Sequence, residues 1–121
     1  MKLIIGAHMS ISRGIINSLK EIEKINGNAI QIFTGSPMSL EKGKILDLDE
    51  KSIDEIKKFN SNNIPIFIHS KYLLNFSRDL IPKSKIYLVR YVQDLDFSQK
   101  IDGSGVVLHF GSAVNGMDKK L

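Results

Sequence analysis

Short, continuously apolar runs alternate with helix-period stretches along the whole of this chain. Lys2-Leu3-Ile4-Ile5-Gly6, Ala29-Ile30-Gln31-Ile32-Phe33, Ile64 to His69 and Gly105 to His109 have strand length. Apolar residues recur at helical spacing between them: Ile15, Leu19, Ile22 and Ile25; then Ile53, Ile56 and Phe59; then Ile86, Val89, Val92 and Leu95. A β-α-β-α-β-α-β order predicts an α/β fold with parallel strands joined by right-handed crossovers. Runs apolar at nearly every position suit strands covered on both faces. Boundaries follow from local chemistry. Ser10 or Ser12 is expected to cap the first helix and Gly27 to stop it. Ser52 and Glu55 have capping-box spacing at the second, and Pro82 suits the first turn of the third.

The chain of 121 residues reads as one unit, 1–121, with four strands and about three helices. Two arrangements satisfy that count. One is an open four-stranded sheet; the other is the N-terminal half of a (β/α)8 barrel, whose full length is about 250 residues. The loops leading from strand to helix are long, Thr34 to Leu48 and Ser70 to Ile81, whereas those returning to a strand are short. Long loops on the C-terminal rim are where such folds keep their chemistry.

All three histidines sit at the ends of expected strands: His8, His69 and His109. Parallel strands share a rim, so the imidazoles are expected in one region. His69 and His109, on neighbouring strands, are candidate ligands for a zinc-type cation, which needs at least a third protein ligand. His8, in Gly6-Ala7-His8-Met9-Ser10, could be a ligand, a supporting donor or a phosphate contact. The chain has no cysteine, so a metal must use His, Asp or Glu. No carboxylate follows the strand-end pattern. Asp47, Asp49, Glu50, Asp54 and Glu55 cluster where the second helix begins and suit its dipole. Gly35 and Gly43 do not form a phosphate loop, and no nucleophile-elbow pattern occurs.

The net charge of +4 is compatible with a polyanionic partner, although the lysines are dispersed. No run is long and apolar enough for a membrane span or a signal peptide, and an intracellular setting is expected. Tyr72, Leu73 and Leu74 follow His69 directly. They either wedge into a base stack or tuck beneath their own loop.

Four segments together resemble the endonuclease IV family of apurinic/apyrimidinic endonucleases. They are Ile5-Gly6-Ala7-His8-Met9-Ser10, Gln31-Ile32-Phe33-Thr34-Gly35-Ser36-Pro37, His69-Ser70-Lys71-Tyr72-Leu73-Leu74-Asn75 and Leu108-His109-Phe110-Gly111-Ser112. The resemblance implies the N-terminal half of a TIM barrel that carries a three-zinc cluster and hydrolyses the phosphodiester 5′ to abasic sites in double-stranded DNA. It makes His69 and His109 ligands of one zinc, so at most part of one site lies here. His8 is the catalytic candidate at the rim. Tyr72 and Leu73 would enter the DNA. Met38 stands in the DNA-facing loop where the family usually has an Arg, and Leu40 where an aromatic often follows.

The family's remaining ligands lie on later strands, so the resemblance implies a chain inactive alone. Its expected partners are abasic-site DNA and either a complementary C-terminal half or a second copy. Two other readings compete: a non-catalytic half-barrel that self-associates or binds DNA, and a metal-dependent sugar isomerase or epimerase relative.

Overall fold

In a computed structural model, residues 2–77 and 85–112 are described. Their elements run β1 (Gly6–His8), α1 (Ile15–Lys24), β2 (Ala29–Ile32), a 3-10 turn (Lys44–Asp47), α2 (Glu50–Phe59), β3 (Ile66–His69), α3 (Lys85–Lys100) and β4 (Gly105–Val107). All four strands are parallel, in the order β1-β2-β3-β4. Sequential order with right-handed crossovers places the helices on one face of the sheet. The core lies between them. Ile30, Ile32, Ile66 and Ile68 of the strands meet Ile15, Leu19, Ile22, Ile53, Ile56, Phe97 and Ile101. Each such side chain, fully buried, stabilises the fold by about 1.5–3 kcal/mol.

The strands are shorter than their apolar runs. Leu3, Ile4 and Ile5 lie before β1 and are exposed. Ile64 and Pro65 precede β3, and Leu108 and His109 follow β4. Among the described residues the opposite face of the sheet carries no helix, and Phe67 and Val107 are partly exposed there. Continuous apolarity therefore does not mean that both faces are covered within the described residues.

Helix ends depart from expectation in specific ways. Gly14, at φ 86°, precedes α1 without a side-chain cap. Neither Ser10 nor Ser12 caps it; the Ser18 hydroxyl instead donates to the Ser10 carbonyl at 2.7 Å. The helix closes with Asn26 in the left-handed conformation. The Asn26 and Gly27 N–H groups donate to the carbonyls of Glu23 and Ile22, a Schellman arrangement shifted one residue from the expected stop. Ile25 lies outside α1 and is exposed. For α2 the cap is Asp49, whose carboxylate accepts from the Ser52 N–H at 2.8 Å, so Ser52 lies inside the helix. Pro82 falls outside the described residues.

α3 turns a different face inward from the one its apolar residues suggest. Asp94, Phe97 and Ser98 are buried, whereas Val89, Val92 and Leu95 are exposed.

Candidate metal and DNA-facing rim

The C-terminal ends of the strands carry a continuous group of rings. His8 ends β1 and His69 ends β3, while His109 lies two residues past β4. Phe33, one residue past β2, sits among them: its ring centroid is 4.4 Å from that of His8 and 5.2 Å from those of His69 and Tyr72. Positions 31 and 33 share one face of the strand, and Gln31 donates to His8 Nδ1 at 3.1 Å. Burial and the neighbouring His69 hold the His8 imidazole below its ordinary pKa.

His69 is buried, and its Nδ1 lies 2.7 Å from the Ser70 carbonyl. A carbonyl only accepts, so Nδ1 carries the proton and neutral His69 keeps its lone pair on Nε2. That lone pair faces His109 Nε2 at 3.0 Å. Two nitrogens on one tetrahedral zinc stand about 3.4 Å apart, a few tenths of an ångström more. An imidazole whose second nitrogen donates to a carbonyl is the tautomer in which histidines bind metal. The donor set thus fits part of a zinc site. Among the described residues, no group of three His, Cys, Asp or Glu could hold a metal ion.

Next to this pair the chain divides its apolar residues. Tyr72 and Leu73 are exposed, while Leu74 is fully buried beneath them. Exposure and tucking therefore coexist in one turn, each assigned to different residues. Met38 is also exposed, on the facing loop. The Tyr72 N–H donates to the Pro37 carbonyl at 3.1 Å, which ties the two loops together.

Beneath the rim lies a polar layer absent from the sequence reading. Asp94 of α3 is 1% exposed and accepts from the Thr34 hydroxyl at 2.7 Å. Burial raises its pKa, opposed by the Thr34 and nearby Ser70 hydroxyls and by the Lys71 and His69 charges. Among the described residues, Asp94 Oδ2 and Ser70 Oγ are buried without a hydrogen-bond partner of their own. Lys71 is also buried and donates to the Ser36 carbonyl at 2.8 Å. Its pKa is lowered by burial, against the pull of Asp94. The missed signal was spacing: Asp94, Phe97 and Ser98 stand at i, i+3 and i+4, one helix face.

Gly35 and Gly43 cross closely, so a Cβ on Gly35 would stand 2.8 Å from Gly43 Cα. Their lack of side chains lets the β2 loop fold closely on itself. Between that loop and the β1–α1 turn lies a cleft of about 570 Å³, lined in part by Ser12, Gly35, Ser36, Lys42 and Lys44. It adjoins a hollow of about 450 Å³ beside His8 and Phe33. The acidic residues at the start of α2 take no part; Asp49 caps the helix.

No family model matches the chain. A probable endonuclease 4 of Natranaerobius thermophilus is 35% identical over 110 residues, which cover 89% of this chain and 38% of that protein. A probable endonuclease 4 of Haloarcula marismortui is 32% identical over 111 residues, 89% of this chain and 39% of that protein. The crystal structure of endonuclease IV from Thermus thermophilus superposes with a TM-score of 0.78 at 25% identity, over 90% of this chain and 40% of that one. The chain thus spans about two fifths of the length of the relatives it matches. Over about nine tenths of its length the chain is similar to endonuclease 4 proteins, and its fold matches the N-terminal part of the endonuclease IV (β/α)8 barrel.

Proposed function

We propose that this chain supplies the N-terminal, DNA-facing part of a zinc-dependent endonuclease IV-type repair enzyme, one that hydrolyses the phosphodiester 5′ to abasic sites. The observation that carries the reading is the convergence of His69 and His109 Nε2 directly beside the exposed Tyr72 and Leu73. His69 and His109 hold one zinc, together with a ligand from strands beyond β4. When bound, zinc supplies a Lewis acid and lowers the pKa of a bound water.

The chain's own residues bind and orient the substrate. Tyr72 and Leu73 enter the helix at the lesion, where an abasic nucleotide is the least costly to extrude. Met38 contacts the backbone opposite. His8, whose pKa is held below the ordinary imidazole value by burial and by His69, accepts or donates a proton at the rim. The clefts running from His8 toward Lys42 and Lys44 suit the flanking phosphates.

With two ligands of one zinc site, the chain alone is inactive. The test is co-expression with the C-terminal remainder of the Natranaerobius relative, followed by a nicking assay on abasic-site duplex with zinc. Nicking 5′ to the lesion by the pair, and none by either piece alone, is the expected result. A folded, zinc-loaded pair that leaves abasic DNA intact overturns the reading.

A further inference from the structure

Two histidines of this rim have partners of opposite kind. His69 Nδ1 faces the Ser70 carbonyl, which only accepts, at 2.7 Å. His8 Nδ1 faces the Gln31 amide nitrogen, which only donates, at 3.1 Å. The neutral rings therefore carry their protons on opposite nitrogens. His69 keeps its lone pair on Nε2, where His109 lies. His8 directs its lone pair at Gln31 and carries its proton on Nε2. Burial and the His69 charge hold the His8 pKa below the ordinary imidazole value, which favours the neutral ring.

The sheet makes the His8 contact. His8 and Gln31 are paired in register. Such pairs on neighbouring strands lie about 4.8 Å apart, with their side chains on one face. The Gln31 carbonyl also accepts from the Met9 N–H at 2.8 Å, so one residue grips the end of β1 through backbone and side chain. Phe33 stands between His8 and His69, its ring centroid 4.4 Å from one and 5.2 Å from the other. His8 and Phe33 line the hollow of about 450 Å³ together with Ser10 and Ser12. Gln31 instead lines a different hollow, of about 290 Å³. The Nε2 edge of His8, opposite the edge that Gln31 holds, therefore faces the larger one. Among the described residues lining it, none is acidic. The Ser12 hydroxyl, which accepts from Ser10 at 3.1 Å, still has its own proton to donate.

We propose that Gln31 is a positioning residue that locks His8 in its Nε2–H tautomer, and that His8 Nε2–H is a fixed hydrogen-bond donor to a phosphodiester oxygen in this hollow. The choice of a phosphodiester rests on the proposed DNA function; the tautomer does not. Phosphodiester oxygens accept and do not donate, so neutral N–H and hydroxyl donors match them. The adjoining cleft brings Lys42 and Lys44 toward the flanking phosphates. The role of His8 narrows accordingly, from exchanging a proton to holding one. One rim thus offers a lone pair to a cation at His69 and an N–H to an anion at His8, and the chemistry of one neighbour sets each.

The test reads the ring nitrogens directly. With isotope-labelled histidine in the chain, proton–nitrogen correlation spectra should show His8 unprotonated at Nδ1 and protonated at Nε2, the reverse of His69. Gln31→Glu replaces the donor by an acceptor and should place a proton on His8 Nδ1. A lesion-free single-stranded oligonucleotide then supplies phosphodiesters without any demand for repair. It should shift the His8 Nε2–H resonance. His8→Ala should weaken its binding by about tenfold or more, the loss of one hydrogen bond to a charged group. His8→Gln, whose amide sets a donor where Nε2 stood, should restore most of that binding, which no proton-transfer role would allow. A His8 protonated at Nδ1, a tautomer indifferent to Gln31→Glu, an oligonucleotide that leaves Nε2–H unmoved, or a His8→Gln variant as weak as His8→Ala overturns the proposal. If the donor passes every arm while the co-expressed pair leaves abasic DNA intact, the repair reading fails and the donor stands.

Discussion

His69 and His109 bring their Nε2 atoms to 3.0 Å across the β3–β4 seam, although 40 residues separate them along the chain. Both lie beside strands that pair in register, His69 with Val107, so the contact is set by the sheet. Neither imidazole makes a site alone. His69→Ala and His109→Ala should each weaken zinc by at least about 10–100-fold. The double variant should be barely weaker than either single one, because residues sharing one function are non-additive. Competition with a chromophoric chelator measures this, and two losses that simply add would refute a shared ion.

Thr34→Val removes the hydroxyl that donates to buried Asp94 while keeping the side chain's shape. A hydrogen bond to a charged group contributes about 1.5–3 kcal/mol, so the variant should lose about that much at neutral pH. Burial raises the Asp94 pKa, so the carboxyl takes up its proton in the folded state before it does in the unfolded chain. The penalty of Thr34→Val should therefore shrink as pH falls and Asp94 becomes neutral. Urea unfolding at pH 7 and at mildly acidic pH checks both magnitude and trend; an equal penalty at both would contradict it.

Gly43 is tested by adding one carbon. Its backbone has an ordinary φ of −69°, so strain is not the issue. A Cβ there would collide with the Thr34 carbonyl, which belongs to the backbone and cannot swing away. Gly43→Ala should destabilise by about 1–3 kcal/mol, the usual cost of overpacking. Thermal melts measure it, and an unchanged midpoint would mean that the β2 loop is looser than described.

His8 makes stability depend on pH in a definite direction. Its pKa lies below the ordinary imidazole value because of burial and the His69 charge. As pH falls through about 6.5, the unfolded chain binds the proton first. Stability therefore rises with pH in that window, is fully present above it, and is lost on acidification. His8→Gln should flatten the slope between pH 7 and 5 in chemical denaturation; an unaltered slope would assign it to another group.

Met38 is exposed on the loop tied to Tyr72 and carries no charge; on the proposed function that loop meets the DNA backbone. Met38→Arg should tighten binding to abasic duplex and add about 1 to the slope of log K against log salt, one phosphate contact. Fluorescence anisotropy across a salt series reads this. No change in slope would place residue 38 away from the phosphates.

Sequence periodicity alone carried the order of strands and helices, because alternating apolar runs are local signals. It also carried the placement of three histidines at one rim, since parallel strands share a direction. Helix ends were legible only approximately: Asp49 rather than Ser52 caps α2, and Gly14 precedes α1, because capping depends on where the chain enters the helix.

The tertiary structure decided what depends on neighbours. α3 has apolar residues on more than one side, so periodicity could not tell which face meets the sheet; packing chose the one with Asp94 and Phe97. Asp94 found Thr34 across 60 residues, and Lys71 found Ser36 across 35. Of the three rim histidines, only His69 and His109 meet directly, and Phe33 separates His8 from them. Identity and spacing put the imidazoles on a common edge, but contact between side chains is set by register and sheet curvature, which are properties of paired strands rather than of any one of them.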